Sequence, residues 1–147
     1  MSLQDWMQLA LTEAESASSQ GHVPVGAVLV FQEKCLFKGH NLSGHSDFPL
    51  KHAEMKVLEM AMGHLSQEEW RMATLYVTLE PCPMCMGAIL HTHLGRLVFG
   101  AANLKWGACG SVADLSHLYP SQNLEIIGGV LESQSQSLLS SFFKACR

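Results

Sequence analysis

The chain reads as a three-layer α/β protein, with one mixed sheet covered by helices on both faces. Two patterns point there: an amphipathic helix and a hairpin open the chain, and from about residue 51 helical and strand-like stretches alternate. Composition agrees, because 48% hydrophobic and 15% charged residues suit a packed core rather than a disordered chain. At 147 residues the expectation is one domain, 1–147, without repeats, low-complexity tracts or linkers.

The elements follow in order. Residues 3–20 place Trp6, Met7, Ala10, Leu11, Ala14 and Ala17 at helical spacing, and Gly21 ends the run. Residues 23–31 and 35–39 read as strands joined by the turn Gln32-Glu33-Lys34, and 41–49 is a loop rich in Ser, Gly, His and Asp. In 51–64, Met55, Val57, Leu58, Ala61 and Met62 make a largely buried helix, and 74–79 is a strand. Pro83 opens a helix over 83–91, 96–100 and 124–127 are strands, and 131–144 closes as an amphipathic helix. Between them, 101–123 has no clean period and carries Gly107, Gly110 and Pro120, which predicts a long loop with short helical pieces. Such loops often carry binding residues.

Several classes are excluded. The longest apolar run, around 26–31, falls far short of the ~20 residues a membrane helix needs. The amino end carries Asp5, Glu13 and Glu15 and no basic residue before a hydrophobic stretch, the reverse of a secretory leader, so a cytoplasmic protein is expected. Nine basic against thirteen acidic residues give a net charge of −4, poor for a protein that grips nucleic acid mainly by its phosphates. Five cysteines, an odd number with two spaced C-x-x-C, point to metal or redox chemistry before a disulfide framework.

The strongest motif is His52-Ala53-Glu54 with, further on, Pro81-Cys82-Pro83-Met84-Cys85. Cysteines at i and i+3 in the first turn of a helix project to one side, where exposed N–H groups and the helix dipole favour thiolate. His52, opening another helix, supplies a neutral imidazole as third ligand, and Cys₂His with an open fourth position is a catalytic zinc pattern. The open position would take water, whose pKa zinc lowers to roughly 7. Glu54, two residues from His52, is placed to move that water's proton without ligating. A lone C-x-x-C could equally be a structural zinc half-site or a redox pair; H-x-E with P-C-x-x-C is the signature of zinc-dependent nucleobase deaminases. A structural zinc would need a fourth protein ligand and leave Glu54 idle.

Cys35, Cys109 and Cys146 lack metal spacing and read as plain small residues. His91 and His93, flanked by Leu90 and Leu94, read as partner-contact or capping residues rather than ligands. Trp6 and Trp70 read as packing residues, whereas Trp106, in the irregular loop, is a candidate for stacking on a base.

Over almost its whole length the chain resembles the cytidine deaminase-like superfamily, and within it the bacterial tRNA-specific adenosine deaminases. The resemblance is carried by Val23-Pro24-Val25-Gly26-Ala27-Val28, Asn41, His52-Ala53-Glu54, Leu75-Tyr76-Val77-Thr78-Leu79-Glu80-Pro81-Cys82 and Gly95-Arg96-Leu97-Val98-Phe99-Gly100-Ala101. Residues 107–111 and 138–143 look similar too. It implies a five-stranded mixed sheet, one zinc per subunit, a homodimer, and conversion of adenosine to inosine at the wobble position of a tRNA anticodon. By position, Val25 and His52 would flank the flipped base, Asn41 and the backbone at Ala53 would read its edge, and the Glu80 carbonyl would face the leaving amino group.

The chain departs from that family on the substrate side. Where its members usually carry Asp-Pro-Thr-Ala before the zinc histidine, this sequence has Phe48-Pro49-Leu50-Lys51. Their Arg-Asp pair after the fourth strand is Ala102-Asn103 here, and no basic tail precedes Arg147. Three functions therefore stand side by side: a tRNA adenosine deaminase, a deaminase of a free base or small nucleoside such as guanine, cytosine or a related heterocycle, and a non-catalytic zinc domain that binds RNA or a partner subunit.

Overall fold

A computed structural model describes residues 1–42, 49–119 and 123–146. Phe48, Pro120 and Arg147 lie outside the described residues. Helix α1 spans Leu3–Ser19, strand β1 Gly26–Phe31, β2 Lys34–His40, α2 Ala53–Ala61, α3 Gln67–Met72 and β3 Thr74–Leu79. Then come α4 over Pro83–Thr92, β4 over Arg96–Ala101, β5 over Glu125–Ile127 and α5 over Glu132–Ala145.

The five strands form one sheet in the order β2-β1-β3-β4-β5. β1 runs antiparallel to β2 and β3, while β3, β4 and β5 are parallel, so the sheet is mixed as expected. Alternate residues face opposite ways along each strand, and the sequence uses that period. Ala27, Leu29, Leu75, Val77 and Leu97 join the core under α2, α3 and α4. Val28, Val30, Tyr76 and Val98 face the other way, against Trp6, Met7 and Ala10 of α1, with α5 beside α1. Each fully buried Leu or Val contributes about 1.5–3 kcal/mol, so a one-residue slip of any central strand would forfeit both cores.

Element ends differ from the sequence expectation where the backbone intervenes. The hairpin turn is Gln32-Glu33 alone, both at positive φ (51° and 60°), because Lys34 already pairs with Phe31. Such two-residue turns match the twist of the flanking strands. β1 begins at Gly26 rather than residue 23, since Pro24 has no N–H and Val25 N–H bonds locally to the Val23 carbonyl at 2.8 Å. Gly26 also lies where α1 crosses β1, and a Cβ there would meet the Ala10 carbonyl at 2.0 Å. Helix α3 was not expected at all, although the capping box of Ser66 and Glu69 that opens it stands in the sequence.

This arrangement puts the carboxyl ends of two neighbouring parallel strands side by side, with Leu79 paired to Ala101. α4 and the loop after β4 both leave the sheet at that edge, the usual place for a site in such folds. No helix among the described residues is long and apolar enough to cross a membrane.

Candidate active site

Both halves of the metal motif sit at helix starts. His52 is the N-cap of α2, Cys82 the N-cap of α4, and Pro83 fills the first turn, where its missing N–H costs nothing. The Cys82 and Cys85 sulfurs lie 3.6 and 3.5 Å from Nδ1 of His52, so Nδ1 is the nitrogen that faces them. The three donor atoms fall within 4.8 Å of one another, and among the described residues no other group of His, Cys, Asp or Glu is drawn together in this way.

The chemistry of this donor set fits a cation. A hydrogen bond from the Cys85 thiol holds Cys82 down to about 4 despite its burial, with His52 adding to the effect. The same bond, with burial, pushes Cys85 upward, and the Cys82 sulfur raises His52. A divalent ion held between them would favour ionisation of both sulfurs. Two sulfurs and an imidazole nitrogen are donors that zinc accepts.

Glu54, in the first turn of α2, is 4% exposed, and burial pushes its carboxyl up to about 7. A carboxyl poised there both takes and returns a proton near neutral pH. Asn41 is buried next to it, and its Oδ1 accepts a 2.7 Å hydrogen bond from the Ala53 N–H. That bond ties the end of the hairpin to the start of α2. The backbone at Ala53, expected to read the base together with Asn41, thus gives its N–H to Asn41.

Glu80, just past β3, is 2% exposed, yet its carboxyl lies below the usual range. Burial alone would raise it; the Ser111 hydroxyl and the backbone N–H groups of Cys109, Ser111 and Asn103 outweigh that by donating to it. One carboxylate therefore fastens the loop after β4 to the segment that leads into Cys82. Gly107 is required there, because a Cβ would meet the Asn103 carbonyl at 2.4 Å and Glu80 Oε2 at 2.5 Å. The Glu80 carbonyl, expected to face a leaving group, accepts from Asn103 Nδ2 at 3.5 Å.

These residues open onto one cavity of about 810 Å³. Val25, Asn41, His52, Glu54, Glu80 and Cys82 all line it, so the sequence-derived candidates come together apart from the buried Cys85 and Ala53 behind them. The loop after β4 contributes Asn103, Leu104, Lys105 and Trp106, and α5 contributes Leu139 and Phe143. The grip of Glu80 on that loop and the part played by α5 were missed by sequence reasoning. Cys35, Cys109 and Cys146 are free thiols, and Trp6 and Trp70 are buried. His93 caps α4 at φ 65°, and with His91 it borders a separate groove formed by α2, α3 and α4.

The chain matches the MafB19-like deaminase family over residues 1–147. It is 40% identical over 145 residues to the tRNA-specific adenosine deaminase of Bacillus subtilis, across 97% of this chain and 89% of that protein. With the tRNA-specific adenosine deaminase of Haemophilus influenzae it shares 42% over 143 residues, 96% of this chain and 83% of the other. A structure from studies of A-to-I editing by tRNA deaminases at the wobble position of transfer RNA superposes with a TM-score of 0.79 at 37% identity, covering 92% of this chain and 99% of that one. A guanine deaminase from Nitrosomonas europaea also reaches a TM-score of 0.79, over 96% of this chain and 84% of the other, but at 18% identity it shares the fold alone.

Proposed function

This chain belongs to the MafB19-like deaminase family, and from that membership we propose that it is a zinc-dependent hydrolase that converts adenosine to inosine at the wobble position of a tRNA anticodon, with residues 1–147 acting as one deaminase domain. The observation that carries the reading is the convergence of His52, Cys82, Cys85 and the buried Glu54 on one cavity, in a chain alike over nearly its full length to tRNA-specific adenosine deaminases. Such a substrate would place the work in the cytoplasm.

His52 Nδ1, Cys82 Sγ and Cys85 Sγ would hold one zinc per subunit, and when bound zinc supplies the Lewis acidity that makes water nucleophilic near neutral pH. The chain's own residues do the rest. The Glu54 carboxylate takes a proton from the attacking water as its oxygen bonds to the ring carbon that bears the amino group. Glu54 gives that proton to the adjacent ring nitrogen, takes up the second proton of the same oxygen, and hands it to the amino nitrogen. The carbon–nitrogen bond then breaks and ammonia leaves, so water and adenosine become inosine and ammonia. Val25 and His52 flank the base and exclude water, while Asn41 Nδ2 donates to its edge.

A second reading, a deaminase of a free base or small nucleoside, is favoured by the net charge of −4. Incubating the protein with an anticodon stem-loop and with a panel of free bases, while measuring ammonia, separates the two. Inosine in the stem-loop is expected; ammonia from free bases alone would overturn the tRNA reading.

We also propose a homodimer. The groove on α2, α3 and α4, about 490 Å³ and lined by Met55, Leu58, Met62, Trp70 and Ala88, is an apolar face suited to a second copy of the chain.

A further inference from the structure

The reaction uses Asn41 and leaves its neighbour, His40, without a role. In the β1–β2 register His40 stands opposite Gly26. At Gly26 α1 presses close on the sheet, and a Cβ there would come within 2.8 Å of Glu13 Cβ. The missing side chain lets Glu13 descend beside β1 and reach across to β2. Its Oε1 accepts a 3.2 Å hydrogen bond from His40 Nδ1, and the Glu13 and His40 side chains are 15% and 14% exposed. On the far side of the ring, Nε2 meets Oε1 of Gln20, the C-cap of α1, at 3.3 Å. One imidazole therefore pins the last residue of β2 to α1 at two points, Glu13 and the helix end.

β2 is an edge strand, bonded to β1 along one side only, so whatever fastens its end decides how firmly Asn41 is held. Successive residues of a strand face opposite ways. His40 turns towards α1, whereas Asn41 lines the cavity, with its Oδ1 on the Ala53 N–H and its own backbone N–H on the Val25 carbonyl at 3.1 Å. A twist or lift of the strand end would move both side chains together, and a misplacement near 1 Å at a group that meets the substrate costs on the order of 100-fold in rate. We propose that His40 is a positioning residue: its bond to Glu13 fixes the end of β2 and, through it, the amide of Asn41 at the edge of the base. The proposal rests on the deaminase reading above and holds whether the base is free or in tRNA. The Glu13 contact carries the effect because it is shielded from water, whereas the Gln20 contact is exposed.

The test has two readouts. The first is amide exchange by NMR on the zinc-loaded protein. His40→Ala should speed exchange of the Ala53 N–H by about tenfold or more and leave β3 amides such as Val77 unchanged, whereas a general loss of stability would speed both alike. Glu13→Ala removes the same bond from the α1 side and is read in the same way, so the test does not hang on the folding of one variant. The second readout is a cycle on whichever substrate releases ammonia, the stem-loop or a free base, in single turnovers with the protein in excess. His40→Ala and Glu13→Ala should each lower the rate by about tenfold to 100-fold, and neither should lower it further once Asn41→Ala is present. His40→Asn, whose Nδ2 stands where Nδ1 did, should recover most of the loss. Losses that multiply with Asn41→Ala, or an Ala53 amide that exchanges no faster, would overturn the positioning role while leaving the deaminase reading intact. Ammonia from neither substrate with the wild-type protein would overturn the deaminase reading, and this role with it.

Discussion

Glu80 shows how one side chain sets the shape of the site. Four donors from a single loop converge on its carboxylate, which therefore stays ionised at low exposure. Because its pKa is lower in the folded chain than in the unfolded one, the stability it adds is full above about pH 4.3 and is lost as pH falls through the folded value. Glu80→Gln should cost about 2 kcal/mol at neutral pH in a denaturant titration, with the gap between the two proteins closing below about pH 4. A gap that stays constant down to pH 3 would mean the carboxylate charge contributes nothing. Cys82→Ser or Cys85→Ser should each leave a folded chain that retains far less zinc after dialysis, because an alcohol at that position does not ionise to replace the thiolate.

At the scale of elements, legibility followed how local each cause was. β3 was readable to the residue because Leu75 and Val77 alternate with Tyr76 between its flanking turns, and the metal motif because i and i+3 at a helix start is a local geometry. The sequence places the start of α2 two residues early, at 51; the helix begins at Ala53 because His52 is extended (φ −77°, ψ 154°) and serves as the N-cap, while Asn41 from the hairpin satisfies the Ala53 N–H, which has no partner inside the helix. α3, six residues long, shows no period, and only its capping box betrays it. The clamp on Glu80 was invisible for a deeper reason. Three of its four donors are backbone amides, 23 to 31 residues away, and an amide has no letter in a sequence. One consequence of that clamp is readable afterwards as Gly107. Gly107→Ala should displace the loop, destabilising the protein by about 1–3 kcal/mol and raising KM for the stem-loop. Unchanged stability and KM would show that the loop adjusts freely.

At the scale of the whole molecule, the two faces of the sheet have separate duties. The face under α1 is a sealed core, whereas the helices on the other face carry the metal ligands at their starts and an apolar groove on their outer side. If that groove joins two copies, Met62→Glu, on a side chain 52% exposed, should give a monomer by light scattering with the helix content retained. A wild-type protein that is already monomeric at micromolar concentration would remove the groove from the account. The central claim concerns the chemistry, and Glu54 carries it. The most direct measurement is inosine formation in an anticodon stem-loop by Glu54→Gln loaded with one equivalent of zinc, beside the wild type treated alike. The variant should bind zinc and fold as the wild type does, yet lose on the order of 100- to 10,000-fold in turnover; inosine formed at the wild-type rate would contradict the proton path through Glu54.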